Sequence, residues 1–392
     1  MSNHLVSAYQ SLPVSFSHGD GIHLWDQHGN QYLDALCGIA VTSLGHNYPA
    51  VTKAISEQAS TLIHTSNIYN IEWQQKLADL ICELSGMDRV FFGNSGAEAN
   101  EAAIKLARLF GNKQEISDPQ IVVMEHSFHG RTMATLSATG SRKVQAGFEP
   151  LVSGFVRAPY NDIESIQAIA ANNKKVVAIL VEPVQGEGGI IVPDKAYLKN
   201  LREICDQNNW LLMLDEIQTG VARSGKMFAF QHEAIVPDVM TLAKALGNGM
   251  PIGACVTRGQ AAEVIQPGNH GSTFGGNPLA CRTAYTVLDS IVKNNLVENA
   301  AQRADQLVAL LREGLQDNPM LIEVRNLGLL IGIELKQNCQ ALVKLALDEQ
   351  LLINVTAEKV VRLLPPIIIN EKQTAEIAKK VISCINAFST RD

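Results

Sequence analysis

Short apolar runs alternate with helical runs between residues 70 and 260, and this alternation constrains the fold more than any other feature of the chain. The apolar runs have the length of strands, and several are too continuously apolar for a strand with one face in water. They are Arg89–Phe92, Gln120–Met124, Val176–Val181, Leu211–Leu214 and Ala254–Val256. Helical periodicity occurs between them, as in 97–110 and 195–208. Because strands separated by helices build a mostly parallel sheet with helices on both faces, we predict an α/β fold.

The two ends of the chain predict a second, smaller unit. Residues 1–48 contain short strand-like runs that indicate a hairpin, and helical periodicity begins near Tyr48. Toward the C-terminus the pattern predicts one long helix (278–316), short strands within 322–335 and a final helix near 371–388. We expect three parts, which are an N-terminal segment that contributes to the small domain (1–48), a large domain (49–285) and a C-terminal small α+β domain (286–392).

Composition excludes several classes of protein. The 392 residues are 46% hydrophobic, which is enough for the core of two domains. The net charge of −7 and the lack of a basic stripe argue against nucleic-acid binding. No apolar run approaches the ~20 residues of a membrane span, and no basic-then-apolar secretory signal is visible. Seven cysteines without a CxxC pair predict free thiols in a reducing cytoplasm, rather than disulfides or a zinc site.

Two charged residues occupy positions where apolar residues are expected. Lys244 interrupts the apolar stretch Val239–Leu246, and Asp215 directly follows Trp210–Leu214. A buried ammonium or carboxylate is costly unless it is paired, neutral or used covalently. Pyridoxal phosphate needs both groups, because its aldehyde reacts with a lysine and its ring nitrogen pairs with an acid. The structural alternatives are a lysine whose head reaches solvent and an acid that caps a helix.

A loop of small residues suggests a phosphate site. Gly93–Asn100 follows a predicted strand and opens a helix, whose N-terminus favours an anion. An ordinary serine-capped helix explains the same residues when they are taken alone. GxxxxGK[ST] is absent, so this is not a P-loop, and the glycines of 182–189 and 247–253 do not form GxGxxG. A nicotinamide dinucleotide site is therefore disfavoured.

Three further segments carry groups suited to a planar, anionic ligand. In His126–Thr132, Phe128 is suited to stacking on a flat ring and Arg131 to binding the carboxylate of a ligand. The two histidines have an HxxH spacing, but without an acidic residue as a third ligand they indicate a metal site only weakly. The carboxylates and glycines of 182–189 follow a buried strand, at the sheet edge where α/β folds bind ligands. The loop 271–278 is dense in small residues, and its hydroxyls are candidates for binding a phosphate. The alternative is that the loop only leads into the helix that follows.

In this order and at these spacings, the motifs resemble those of class III pyridoxal-phosphate aminotransferases, most closely the acetylornithine aminotransferase branch. The matching segments extend from 38–46 to 361–366 and cover essentially the whole chain. The resemblance implies the fold-type-I architecture of aspartate-aminotransferase-like enzymes, with a seven-stranded, mostly parallel sheet in the large domain. It also implies a homodimer whose active sites lie at the subunit interface.

The resemblance assigns a cofactor role to eight residues. Lys244 joins the cofactor covalently, Asp215 pairs with its ring nitrogen, Gln218 lies near its ring hydroxyl, Phe128 stacks on its ring, Ser95, Gly96 and Ala97 bind its phosphate, and Thr273 reaches that phosphate from the neighbouring subunit.

Four residues receive a substrate role by the same resemblance. Arg131 and Arg362 grip substrate carboxylates, and Ser272 lies beside Thr273 at the substrate. Glu187 pairs with Arg362 when the substrate has only one carboxylate, because an unpaired arginine in a desolvated site is costly. Glutamate and 2-oxoglutarate, which have two carboxylates, suit two arginine forks.

The activity that the resemblance implies is ping-pong transfer of the δ-amino group of N2-acetylornithine to 2-oxoglutarate in arginine biosynthesis. Related enzymes that use ornithine, succinylornithine, 4-aminobutyrate, lysine or succinyl-diaminopimelate are the alternatives. Two alternatives come from other classes of protein. A nicotinamide dehydrogenase would need a glycine fingerprint that this sequence lacks, and a non-catalytic binding protein would not need Lys244, Asp215 and Arg131 together. We expect pyridoxal phosphate, no metal, no nucleic-acid or membrane partner and a cytoplasmic location.

Overall fold

The computed structural model describes residues 4–389, which form three β-sheets and the helices packed on them. The N-terminal sheet contains β1 (Phe16–Asp20), β2 (His23–Asp26) and β3 (Gln31–Asp34). The large sheet contains β4 (Arg89–Gly93), β5 (Gln120–Met124), β6 (Phe155–Ala158), β7 (Val176–Val181), β8 (Leu211–Asp215), β9 (Val239–Leu242) and β10 (Gly253–Thr257). The C-terminal region contributes β11 (Leu321–Leu327), β12 (Leu330–Leu335), β13 (Leu351–Leu352), β14 (Asn354–Thr356) and β15 (Val360–Leu363).

The α-helices follow the strands in alternation through the middle of the chain. In chain order they are α1 (Cys37–Ala40), α2 (Pro49–Thr61), α3 (Glu72–Ser85), α4 (Gly96–Lys113), α5 (Met133–Ala138), α6 (Arg142–Gln145), α7 (Ile163–Asn172), α8 (Tyr197–Asn208), α9 (Pro278–Lys293), α10 (Leu296–Leu315), α11 (Leu342–Asp348) and α12 (Glu371–Ser389). The element α1 is a short left-handed turn rather than a regular helix, because Cys37, Gly38, Ile39 and Ala40 all have φ between 54° and 64°.

The large sheet has the strand order β4-β10-β9-β8-β7-β5-β6. The pairs among β5, β6, β7, β8 and β9 are parallel, whereas β10 runs antiparallel to both β4 and β9. The prediction of a mostly parallel sheet is confirmed. The sequence did not indicate the reversed direction of β10, because a buried antiparallel strand is as uniformly apolar as its parallel neighbours.

Two separate cores cover the two faces of this sheet. On β8, Leu212 and Leu214 pack into one core, whereas Leu211 and Met213 pack into the other, together with apolar side chains of α4. Neighbouring residues on a strand point to opposite faces, so a strand between two cores must be apolar at every position. Every residue of β7 and β8 is buried accordingly.

The prediction of one helix over 278–316 is wrong. The structure has two helices there, α9 and α10, and the break lies at Asn294 and Asn295. Asn295 has a φ of 53°, in the left-handed region that ends a right-handed helix. Asparagine tolerates this conformation better than most residues, so the Asn-Asn pair was a signal that helical periodicity alone did not reveal.

The smaller sheets connect the two ends of the chain. The predicted N-terminal hairpin is present as β2 and β3, and β3 also pairs in parallel with β13. The C-terminal sheet is antiparallel in the order β11-β12-β15-β14. Within residues 4–389, none of the helices combines the length and the hydropathy that a bilayer span requires.

Candidate active site

One cavity of about 410 Å³ lies at the edge of the large sheet where the parallel strands end. Its volume is in the range that small-molecule sites occupy. The cavity brings together nine of the residues that the sequence singled out, which are Ser95, Gly96, Ala97, Phe128, Arg131, Glu187, Asp215, Gln218 and Lys244. They come from segments far apart in the chain, which meet because the ends of β5, β7, β8 and β9 share one edge.

Lys244 lies two residues beyond the end of β9, in a tight turn where its φ is 41°. Its side chain lines the cavity, and its ammonium forms no hydrogen bond or ion pair with any other residue in 4–389. Burial lowers the pKa of the Lys244 amine, although the negative charge of Glu187 acts in the opposite direction. A lysine with a lowered pKa is more often the neutral amine, which is the form that attacks a carbonyl carbon.

Asp215 is the last residue of β8, and its carboxylate is held by several donors. Asn100 Nδ2 donates to Oδ2 at 2.8 Å, His129 Nδ1 lies 2.8 Å from the same oxygen, and the Ile217 N–H donates to Oδ1 at 3.1 Å. Asn100 is fixed in turn, because its Oδ1 accepts a hydrogen bond from Thr241 Oγ1 at 2.8 Å. This network holds a carboxylate at the cavity wall, where it can accept a hydrogen bond from a bound cation.

Asn100, His129 and Thr241 were not predicted as site residues. Asn100 is fully buried in α4, where the other buried positions carry apolar side chains or glycine, and such a polar residue on an apolar face was the available signal. His129 is buried, whereas His126 is exposed, so the two histidines of the HxxH pattern do not converge on one site. Among the described residues, His129 Nε2 has no hydrogen-bond partner.

The N-terminus of α4 forms another part of the cavity wall. Ser95 is its N-cap, and the Ser95 side chain accepts a hydrogen bond from the Glu98 N–H at 3.2 Å. Gly96 and Ala97 follow in the first turn, where backbone N–H groups have no partner within the helix. A Cβ on Gly96 would lie only 2.8 Å from Ile217 Cδ1, so glycine permits this close packing. The first turn of an 18-residue helix that lines a cavity suits a phosphate group.

Phe128 and Arg131 lie on the loop that follows β5. The Phe128 N–H donates to Glu182 Oε1 at 2.9 Å, and Glu182 Oε2 accepts from the Gly186 N–H at 3.1 Å. Burial raises the pKa of Glu182 to about 7. The Arg131 guanidinium lies 5.7 Å from the centre of the Phe128 ring and is exposed at the cavity. Glu182 therefore connects the loop that carries Phe128 to the turn that precedes Glu187.

Arg362 is fully buried on β15 and forms an ion pair with Glu187. Arg362 Nη1 donates to Glu187 Oε1 at 2.6 Å and lies 3.5 Å from Gln218 Oε1, while Nε donates to Asn354 Oδ1 at 3.1 Å. Nη2 has no partner among the described residues. Burial acts to raise the pKa of Glu187, but the charge and hydrogen bond of Arg362 and the charges of Lys244 and Arg131 together outweigh it, so this pKa lies below its usual value.

Ser272 and Thr273 do not line the cavity of their own chain. Ser272 Oγ accepts hydrogen bonds from the Gly275 N–H at 2.9 Å and from Asn94 Nδ2 at 3.2 Å, so it stabilises the local loop. Thr273 is exposed on the surface, as is Phe274 next to it.

These groups suit pyridoxal phosphate. The cavity offers an amine that lacks a partner, a carboxylate held by hydrogen-bond donors, an aromatic ring beside an arginine and a helix N-terminus with free N–H groups. They correspond to the aldehyde, the ring nitrogen, the planar ring and the phosphate of that cofactor.

Comparisons with known proteins agree with this assignment. The model of the family "Aminotransferase class-III" matches residues 6–385. The chain is 56% identical over 386 residues to an acetylornithine aminotransferase of Nitrosomonas europaea, covering 98% of each protein. The crystal structure of an ornithine aminotransferase from Toxoplasma gondii superposes with a TM-score of 0.96 at 33% identity, covering 99% of this chain and 94% of the other. An acetylornithine aminotransferase from Elizabethkingia anophelis gives a TM-score of 0.88 at 34% identity, covering 98% and 97%. The chain therefore belongs to the class III aminotransferases and is a pyridoxal-phosphate-dependent transaminase of the fold that its sequence predicts.

Proposed function

We propose that the chain transfers the δ-amino group of N2-acetylornithine to 2-oxoglutarate, which gives N-acetylglutamate 5-semialdehyde and glutamate. The observation that carries this proposal is the ion pair between Glu187, which lines the cavity, and Arg362, which is fully buried and does not line it. Such a pair suits an enzyme that must bind a substrate with one carboxylate and a substrate with two in the same pocket. Support also comes from relatives such as the Nitrosomonas europaea enzyme, which is called an acetylornithine aminotransferase.

The positions of the cavity residues support a cofactor role for each of them. Lys244 would hold the cofactor covalently, Asp215 would pair with its ring nitrogen, and the first turn of α4 would bind its phosphate. Phe128 would lie against the ring and Gln218 near its hydroxyl. When bound, pyridoxal phosphate supplies an aldehyde that takes up an amino group and a ring that accepts electrons.

Lys244 has a second task, which is to move a proton. When not bound to the cofactor, the Lys244 amine would stand at the cavity wall, and its lowered pKa favours the neutral form, which can accept a proton. Asp215 keeps its negative charge close to the ring, and its contacts with Asn100 and His129 fix the direction of that charge. A charge placed in advance requires no rearrangement during the reaction.

The two substrates would use the arginines differently. Arg131, which is exposed at the cavity, would bind the carboxylate that both substrates have. Arg362 would bind the second carboxylate of 2-oxoglutarate or glutamate through the Nη1–Nη2 edge after the Glu187 side chain has moved away. With N2-acetylornithine, Glu187 would stay on Arg362 and neutralise it.

A homodimer is part of the proposal, and an exposed apolar surface supports it. Phe274 is 61% exposed, its ring lies 5.5 Å from that of His64, and Ile68 and Tyr69 are 80% and 64% exposed. Asn67, which precedes Ile68, connects this segment to the loop that carries Phe274, because its Nδ2 donates to the carbonyl of Gly275 at 3.0 Å. Large exposed apolar patches mark interaction sites. A second copy on this surface would bring the exposed Thr273 to its partner's cavity, where Thr273 would reach the phosphate and Ser272 the substrate.

The domain boundaries and the location are also proposals. The division into 1–48, 49–285 and 286–392 is supported by the pairing of β3 with β13, which ties the N-terminal segment to the C-terminal region. The second boundary, at 285, lies within α9. Preferential cleavage near 285 in limited proteolysis would support this boundary. A cytoplasmic location agrees with a biosynthetic role and is tested by cell fractionation.

Steady-state kinetics with a panel of amino donors tests the substrate. N2-acetylornithine, N2-succinylornithine, ornithine, 4-aminobutyrate, lysine and succinyl-diaminopimelate are compared at saturating 2-oxoglutarate. We expect N2-acetylornithine to give the highest kcat/KM. Ornithine is the second candidate, because the Toxoplasma gondii structure that superposes so closely is an ornithine aminotransferase. If ornithine or 4-aminobutyrate exceeded N2-acetylornithine by tenfold or more, the proposed donor would be wrong.

A further inference from the structure

Strand β14 contacts both members of the Glu187–Arg362 pair. Asn354 Oδ1 accepts the hydrogen bond of Arg362 Nε at 3.1 Å, and Thr356 Oγ1 donates to the backbone carbonyl of Glu187 at 2.5 Å. The two residues are two positions apart on one strand, so their side chains point to the same side of it. Of Glu187, Arg362, Asn354 and Thr356, Glu187 alone lines the cavity, so Asn354 and Thr356 would act through the Glu187–Arg362 pair and not on the substrate itself.

Asn354 fixes the orientation of the Arg362 guanidinium. A guanidinium is planar and its N–H donors form a rigid fork, so a partner on Nε sets the directions of Nη1 and Nη2. Nη1 contacts Glu187, and Nη2 has no partner within the described part of the chain. The edge formed by Nη1 and Nη2 is therefore directed toward the position where a carboxylate replaces that of Glu187.

Thr356 fixes the backbone of Glu187. The neighbouring backbone is also held, because Glu182 accepts from the Gly186 N–H at 3.1 Å and Arg325 Nη2 donates to the Gly189 carbonyl at 2.6 Å. By contrast, the Glu187 side chain is 39% exposed. A fixed backbone with a partly exposed side chain restricts movement to side-chain rotation, which keeps the carboxylate within reach of Arg362 when it returns.

We propose that Asn354 and Thr356 are positioning residues that serve different substrates. Asn354 aims Arg362 at the second carboxylate of 2-oxoglutarate and glutamate, and Thr356 keeps Glu187 in place to neutralise Arg362 when N2-acetylornithine binds. This inference rests on the proposed function, in which Arg362 binds the second carboxylate.

Two unreactive ligands test this division in the holoenzyme by titration calorimetry. Glutarate is 2-oxoglutarate without its keto oxygen, and N2-acetylnorvaline is N2-acetylornithine without its δ-amine. Asn354→Leu removes the acceptor from Nε, and we expect it to weaken glutarate about tenfold and N2-acetylnorvaline less than about twofold. Thr356→Val removes the hydroxyl at nearly constant volume, and we expect it to weaken N2-acetylnorvaline about fivefold while glutarate changes less than about twofold.

Matched variants separate this effect from a general loss of stability. Thr374→Val on α12 also removes a buried hydroxyl that donates to a backbone carbonyl, that of Asn370 at 2.8 Å, and we expect it to change neither affinity. Thr356→Ser keeps the hydroxyl and restores binding of N2-acetylnorvaline. If Asn354→Leu or Thr356→Val does not fold, the alanine variants of the same residues replace them. The KM values of the two substrates are expected to move in the same directions as the two affinities.

Arg362→Leu distinguishes the two ways in which the idea can fail. If this variant weakens glutarate and N2-acetylnorvaline equally, the proposed carboxylate site itself is wrong. If it weakens glutarate selectively, but the Asn354 and Thr356 variants weaken both ligands equally or neither of them, the positioning role alone is overturned.

Discussion

Two regions of the cavity are built on different principles. The cofactor region, which comprises Lys244, Asp215 and the residues that hold Asp215, lies at the edge of the large sheet, and its carboxylate is fixed by short hydrogen bonds from buried groups. The carboxylate region joins Glu187 to Arg362 of the C-terminal sheet through one ion pair, with one guanidinium nitrogen left without a described partner. A buried carboxylate held by three donors keeps one position, whereas a partly exposed carboxylate exchanges partners. Under the proposed function, the group that would serve both half-reactions is thus fixed, and the group that would distinguish the substrates is adaptable.

The largest effect is expected in the cofactor region, from Lys244→Ala. The other described residues that line the cavity offer no second side-chain amine, so nothing can take over the covalent attachment and the proton transfer. We expect kcat to fall at least about 10³-fold with both substrates. Stopped-flow kinetics and the visible absorption of the cofactor measure this. Lys195→Ala, at an exposed lysine, is the control. Activity within tenfold of the unaltered enzyme would contradict the assignment of Lys244.

Asp215→Asn is expected to have the next largest effect. The amide keeps the size of the side chain but loses the negative charge that favours a protonated ring nitrogen, so we expect kcat to fall about 10²-fold for both half-reactions alike. Single-turnover rates with N2-acetylornithine and with glutamate measure this. A loss confined to one substrate would show that Asp215 belongs functionally to the carboxylate region, which would remove the contrast between the two regions.

Glu187→Gln should affect the two substrates in opposite ways. Without its charge, the buried Arg362 is not neutralised when a monocarboxylate binds, whereas a dicarboxylate loses a competitor. We expect the ratio of kcat/KM for N2-acetylornithine to kcat/KM for glutamate to fall about tenfold. Glu187→Asp, which keeps the charge, should lie between the two enzymes. If both specificity constants fell by the same factor, Glu187 would not be the adaptable element.

The smallest predicted effect concerns stability and arises at Glu182, which lies between the two regions. Its pKa rises from 4.5 to about 7 in the folded chain, so the folded chain retains a proton there that the unfolded chain has already lost. This stabilisation is complete below about pH 4.5 and is lost as the pH rises through 7. Between pH 6 and pH 8 the loss is about 1 kcal/mol. Urea unfolding of the unaltered chain and of Glu182→Gln at both pH values measures it.

The variant should lose less stability than the unaltered chain over that interval. Glu216, whose pKa burial also raises to about 7, remains in both proteins and contributes equally to their pH dependence. Identical slopes for the two proteins would mean that Glu182 is ionised throughout this range.

The sequence predicted the cofactor region better than the network behind it. Lys244 and Asp215 were recognisable because a charge after an apolar strand is costly and must have a use. Asn100 was not recognised, since a single asparagine in an alanine-rich helix resembles a surface residue until the helix is packed. Thr241 was hidden for a similar reason, because threonine is common in strands whether or not its hydroxyl bonds to anything.

The contacts between distant strands could not be predicted from sequence spacing. Arg362 and Glu187 are 175 positions apart, and only the resemblance to a family suggested their pairing. Asn354 and Thr356 had no signal at all, because their role depends on the register of β14 against β15. The break at Asn295 and the reversed β10 were missed because periodicity reports burial and not chain direction.

The distribution of these contacts along the chain has a consequence for protein synthesis. The bonds from Asn100 to Asp215 and Thr241 span 115 and 141 positions and close within the first part of the chain to leave the ribosome. Arg362 follows Thr241 by 121 positions and is therefore translated later. Since domains fold as units during translation, N-terminal parts first, a nascent chain would form its vitamin-binding half before it could recognise a diacid.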